Sequence, residues 1–91
     1  MKHQSKKGRI RQVIWTLITK ARIKCKDGEC EAKIVGVCTW FATIGHHIKQ
    51  RSVGGKDEDE NCLVVCYNCH TYIHEHEAWA ESVGFLRRSY A

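Results

Sequence analysis

Proline is absent from this chain, as are internal repeats and low-complexity segments, so nothing marks a linker and 91 residues make one domain at most. Long hydrophobic runs are absent too. The stretch VIWTLI ends after six residues at Thr19, Lys20 and Arg22, whereas a membrane span needs about 20 apolar residues. The first residues, MKHQSKKGRIRQ, are charged, and no apolar run long enough for a signal peptide follows them. The expectation is a cytosolic, reducing setting with no membrane association. Acid is missing from the first part of the chain: nine Lys or Arg and no Asp or Glu lie between Lys2 and Lys26. The run KDEDE at 56–60 is locally acidic, and the net charge is +5. That balance suits a polyanionic partner without identifying one.

What the chain does have is cysteine and histidine, six of each. A chain this short buries a modest core and often needs a staple. Disulfides require an oxidising compartment, so in a reducing one the cysteines read as metal ligands. Cys66 and Cys69 have two residues between them, a knuckle spacing that brings both sulfurs to one tetrahedral ion. The second pair comes from Cys25, Cys30 and Cys38. Cys30 with Cys38 is favoured because Cys38 precedes the strand that should lie beside 62–66. Cys25 with Cys30 is the alternative. Four thiolates around Zn²⁺ leave a net −2 and make folding depend on metal. The competing readings are a redox pair or plain buried thiols. Cys62 reads as a core-filling residue.

Residues 1–12 read as a basic arm and residues 13–91 as the folded domain. Residues 13–24 place Val13, Ile14, Leu17, Ile18 and Ala21 at helical spacing, which predicts a packing helix. Irregular knuckles and a strand, FATIGHHI, follow. Gly54-Gly55 marks a loop, CLVVC a short strand, and Asn68 a helix cap, with one helix continuing through CHTYIHEHEAWAES and Gly84 stopping it. His70 and His74, four apart, share a helix face and form a metal half-site. His46 and His47 end a strand that should run antiparallel to CLVVC. Neighbours on a strand project oppositely, so one of them can ligate an ion while the other stays free as a general base. A second structural zinc site is the other reading of these four. His3 and His76 read as exposed.

The string HHIKQRSVGGKDEDENCLVVCYNCHTYIH closely resembles the HNH nuclease family, also called ββα-metal or His-Me finger nucleases. The resemblance covers residues 46–74, extending back to about residue 30 through the cysteines. It implies an α+β chain: a small ββα-metal fold with an N-terminal helix and a four-cysteine structural zinc site. It implies that His46 is a ligand of the catalytic ion, that His47 is the general base, and that His70 and His74 are the remaining ligands. It also implies that Asn61 pins the loop and that Arg51 holds a phosphate. The cofactors it implies are structural Zn at Cys30, Cys38, Cys66 and Cys69 and one catalytic divalent ion, Mg, Mn, Ni or Zn. Asn61-Cys62 replaces the usual Asn-Leu, and the Cys30–Cys38 gap is wider than the commonest version. The implied activity is hydrolysis of DNA phosphodiester bonds. Phosphate contacts are expected from Lys2, Lys6, Lys7, Arg9, Arg11, Lys49 and Arg51. The alternatives are a non-catalytic zinc-dependent nucleic-acid-binding protein and an RNA-cleaving nuclease of the same fold. Small phage and prophage members end in a similar acidic, aromatic helix. That likeness implies a phage or prophage protein in a bacterial cytoplasm, with terminase or packaging proteins as partners, acting as a monomer or homodimer.

Overall fold

Two short antiparallel strands, β1 (Ile44–His47) and β2 (Cys62–Val65), lie between two helical layers. The computed structural model describes residues 6–88. The helix α1 (Lys6–Cys25) comes first, and 3₁₀ turns at Arg51–Val53 and Asp59–Asn61 interrupt the loop between the strands. Helices α2 (Tyr67–Glu75) and α3 (Glu77–Ser82) close the chain. The strands pair Ile44 with Val65, Gly45 with Val64, His46 with Leu63 and His47 with Cys62. Side chains alternate across a strand. One face therefore presents Ile44, His46, Leu63 and Val65, and the other Gly45, His47, Cys62 and Val64. The first face joins a core with Cys30, Cys66, Cys69 and Ile73. The second packs Cys62 and Val64 with Trp15 and Ala42. Because β2 is covered on both faces, it reads as an unbroken apolar run.

Helix α1 begins at Lys6, so residues 6–12 of the expected basic arm are helical, as nothing there stops a helix except the weak former Gly8. Lys2 and His3 lie outside the described residues. The helix ends where Asp27 and Gly28 adopt positive φ and the Gly28 N–H closes on the Ile23 carbonyl. The inward face also differs from the expected one. Val13, Ile14 and Leu17 are exposed, while Trp15 and Thr19 are buried. Polar tethers explain the rotation. The Trp15 indole N–H donates to the Gly45 carbonyl at 3.1 Å, and Arg22 pairs with Glu31 at 2.7 Å and Asp59 at 3.0 Å. Residues 15, 19 and 22 thus form the docking stripe. The approach is close: a Cβ on Gly45 would sit 2.0 Å from Thr19 Oγ1.

Glu31 joins the knuckle to the outer edge of β2. Its N–H donates to the Val64 carbonyl at 2.8 Å, and its carboxylate accepts the Val64 N–H at 3.1 Å. Arg22 and Val64 hold the Glu31 carboxyl below its ordinary range against the upward push of burial.

The C-terminal part corrects two expectations. Cys66, not Asn68, caps α2, its sulfur accepting the Cys69 N–H. The single helix expected through residue 82 is also broken, at His76 (φ −130, ψ 58). The His76 ring stacks on Tyr72, with Nδ1 3.1 Å from the Tyr72 carbonyl. After the break, α3 returns the chain to β1, where the Phe85 carbonyl meets His46 and the Arg87 N–H meets the Ile48 carbonyl.

Candidate active site

Cys30, Cys38, Cys66 and Cys69 form one cluster, with their sulfurs within 4.8 Å of one another. A zinc ion about 2.3 Å from each of four sulfurs places them about 3.8 Å apart, so the cluster fits a tetrahedral thiolate site. Cys30, Cys66 and Cys69 are fully buried at the edge of the core. Backbone amides already point at the sulfurs: Thr39 and Cys69 donate to Cys66 at 3.4 and 3.3 Å, and Trp40 donates to Cys38 at 3.2 Å. Burial pushes the Cys66 thiol up, but the donors from Thr39 and Cys69 outweigh it and bring it down to about 6. Burial raises the Cys38 and Cys69 thiols. Cys25 is exposed at the end of α1 and outside the cluster, so the alternative pairing through Cys25 is not the one the fold assembles.

A second cluster joins His46, His70 and His74, whose ligating nitrogens also lie within 4.8 Å of one another. The cap at Cys66 starts α2, and the i, i+4 spacing carries His70 and His74 toward β1. Their Nε2 atoms are 3.2 Å apart, a separation that suits two lone pairs converging on one ion. His46 is almost fully buried, and its Nε2 lies 2.8 Å from the Phe85 carbonyl. A carbonyl only accepts, so Nε2 carries the proton and Nδ1 keeps its lone pair for the cluster. Burial, with His70 and His74 adding to it, pushes the His46 pKa down to about 4. Burial also lowers that of His70. Three imidazoles on a concave surface are a donor set suited to a divalent transition metal.

His47 projects to the other face of β1. Its Nε2 is 2.8 Å from Asp57 Oδ1, and because a carboxylate accepts, the proton sits on Nε2 and Nδ1 is left as the basic nitrogen. Arg51 donates to the same Asp57 oxygen through Nε at 3.0 Å, and its Nη2 lies 2.9 Å from that oxygen in an ion pair. His47 and Arg51 hold the Asp57 carboxyl below its ordinary range despite burial. Burial lowers the His47 pKa, and Asp57 opposes that shift. Asn61 fixes the loop that presents Asp57. Its amide accepts the Lys49 N–H at 2.7 Å and donates to the carbonyls of Lys49 and Lys56 at 2.8 and 3.0 Å. Gly55 lets that loop close, since a Cβ there would lie 1.7 Å from the Lys49 carbonyl oxygen.

A cleft of about 220 Å³ is lined by the four histidines together with Gln50 and Arg51. A family model described as HNH endonuclease matches residues 25–76. The chain belongs to the HNH endonuclease family. No curated protein and no solved structure matches it. As an HNH endonuclease it is a metal-dependent nuclease, with a four-cysteine cluster consistent with the structural zinc of this fold. Among the described residues no helix is long and apolar enough to cross a membrane.

The fold brings together every cysteine and histidine expected at the two sites of this HNH endonuclease except the alternative Cys25. Arg51, expected on a phosphate, pairs with Asp57 and lines the cleft. Lys7, Arg9 and Arg11 are exposed on the first half of α1. Two residues of the site escape sequence reasoning. Asp57 is one acid in a run of four, and spacing does not single it out. Trp15 stacks on His47 from α1 with ring centroids 3.5 Å apart. Its only sequence signal is that Trp15, Thr19 and Arg22 share a helical stripe.

Proposed function

We propose that this HNH endonuclease hydrolyses DNA phosphodiester bonds, with His47 as the general base and one divalent ion held by His46, His70 and His74. The observation that carries the reading is the division of labour between adjacent residues. His46 clusters with the imidazoles of α2 and has its Nε2 on the Phe85 carbonyl, while His47, one residue on, lines the same cleft outside that cluster with its Nε2 on Asp57.

His47 Nδ1 takes a proton from the attacking water as the new O–P bond forms. The P–O3′ bond breaks, the 3′ oxygen takes a proton from solvent, and the products are a 5′-phosphate and a 3′-hydroxyl. Asp57 holds the His47 proton on Nε2 throughout, and Arg51 keeps Asp57 in place. When bound, the divalent ion offsets the negative charge that builds on the phosphate and leaving oxygens. Cys30, Cys38, Cys66 and Cys69 would hold structural zinc, and Cys66, which caps α2, would tie the start of that helix and the direction of His70 and His74 to it. Asn61 positions the loop. Substrate contact is chiefly electrostatic, through Lys7, Arg9, Arg11 and Lys49 against phosphates, with little base readout. Residues 13–91 act as one nuclease domain, to which residues 6–12 add the first turns of α1.

Nicking of supercoiled plasmid in Mg²⁺, Mn²⁺ or Ni²⁺ tests the proposal, with EDTA and a matched RNA duplex as controls. His47→Ala should slow nicking by about 10²–10⁴-fold while the zinc content is kept. Equal rates for wild type and His47→Ala sink the general-base assignment, and faster cutting of RNA than of DNA sinks the substrate assignment.

A further inference from the structure

The family match starts at residue 25, so nearly all of α1 lies outside it, yet this helix covers one side of the site. Trp15 is buried, its ring plane lies 13° from that of His47, and the centroids are 3.5 Å apart. The indole is tethered in turn, with Nε1–H donating to the Gly45 carbonyl at 3.1 Å. His47 therefore has two restraints of different kinds. Asp57 grips the ring edge at Nε2, which restricts rotation within the ring plane but leaves the plane free to tilt about the hydrogen bond. A parallel indole face at contact distance removes that tilt. The two together fix where Nδ1 points.

The approach of α1 is specific. Only a residue without a side chain at position 45 allows it, because Thr19 occupies the space a Cβ would need. Gly45, Trp15 and His47 thus form one unit: the missing side chain admits the helix, the carbonyl of the same residue orients the indole, and the indole lies on the ring two residues along the strand.

We propose that Trp15 is a positioning residue of the nuclease reaction, its indole holding the plane of the His47 imidazole so that Nδ1 faces the cleft, and that α1 is for this reason part of the active site. The proposal rests on reading His47 as the general base. A residue that merely filled the core would be replaceable by any apolar side chain of similar bulk. A positioning face has to be flat.

The test compares Trp15→Phe and Trp15→Leu with wild type and His47→Ala, all zinc-loaded, by steady-state plasmid nicking and circular dichroism. Misplacing a reacting group by about 1 Å costs on the order of 10²-fold, so Trp15→Leu should lose about tenfold or more in kcat with KM and zinc content unchanged, while Trp15→Phe stays within about threefold of wild type. In the wild-type protein the carbon-bound protons of the His47 ring should resonate upfield of the histidine ring protons of the unfolded chain, shifted by the indole ring current. A folded Trp15→Leu chain with wild-type kcat, beside an inactive His47→Ala, overturns the proposal and leaves the base assignment standing. His47 ring protons without the upfield shift overturn it too, with no variant needed. Unimpaired cutting by His47→Ala overturns the base assignment itself, and this proposal with it.

Discussion

Replacing Gly45 by alanine isolates the contact that docks α1. In open space this change in an extended strand stabilises a protein by about 0.4–1 kcal/mol, because the unfolded chain loses freedom. Here the new Cβ would stand 2.0 Å from Thr19 Oγ1 and 3.0 Å from Thr19 Cβ and Cγ2. Rotating the stiff, buried threonine does not relieve the overlap, since its Cγ2 and Cβ are already close, so α1 must move. Overpacking of this kind costs about 1–3 kcal/mol, which outweighs the entropic gain and leaves a net loss of about 1–2 kcal/mol. Thr19→Ala removes Oγ1 and Cγ2. That hydroxyl faces the weakly polar Cys62 thiol and makes no hydrogen bond of normal geometry, so Thr19→Ala alone should shift stability by less than about 1 kcal/mol. In the double variant most of the Gly45→Ala loss should return, giving a coupling of about 1 kcal/mol or more. Urea unfolding at fixed zinc reads all four proteins, and Gly45→Ala should lower the midpoint by about 1 M. Wild-type stability in Gly45→Ala, or strict additivity in the double variant, refutes the close approach of helix and strand.

Three further outcomes follow from the site. With zinc bound at the four cysteines as proposed, a strong chelator should unfold α2 as well as abolish nicking, seen as lost helical circular dichroism, because the cysteine cluster supplies both the cap and part of the core. Retained helicity in a zinc-free protein contradicts that role. Asp57→Ala should lower kcat by about 10–100-fold, the scale for losing the partner that orients a histidine, with plasmid binding unchanged in gel-shift titrations. Acid should destabilise the fold between pH 6.5 and about 4, because in that window unfolded His46 binds a proton that buried His46 refuses. Stability then rises with pH, by about 3 kcal/mol across the window. Urea midpoints for wild type and His46→Leu should converge as the pH falls, and parallel pH curves for the two count against the burial of His46.

How much of this was legible in the sequence varies with the range of the physics. The knuckle spacing of Cys66 and Cys69, the i, i+4 pair His70 and His74, and the opposite projection of His46 and His47 are local geometry. Periodicity reads these directly. The inward face of α1 is not local. Val13, Ile14 and Leu17 make the more apolar stripe, yet Trp15, Thr19 and Arg22 face the hairpin, because Gly45 offers a hollow and a carbonyl while Glu31 and Asp59 offer charge. No window of α1 alone contains those partners. The break at His76 is hidden in the same way. The pattern continues helically to Ser82, and what ends α2 early is the return of Phe85 to His46, far away in sequence. Asn68 has a capping side chain and Cys66 a poor one, but the sulfur already sits where the cap belongs.

The site is built on a hairpin of only two strands, and that small scale explains its arrangement. A wider sheet would place other strands beside β1. Here each face of β1 meets a helix directly, so the face on which a residue lies decides which helix serves it. His46, on the α2 face, meets two imidazoles and a carbonyl and becomes a buried neutral imidazole. His47, on the α1 face, meets an indole and a carboxylate that restrain its ring without using Nδ1. Shifting the strand by one residue would exchange the two environments and turn Gly45 away from Thr19. The pairing of Gly45 with Val64 and His47 with Cys62 therefore carries chemical as well as structural information. A chain with one residue inserted between Gly45 and His46 should keep its four-cysteine cluster, measured as one zinc bound per chain, and lose plasmid nicking, because His46 and His47 would change faces together.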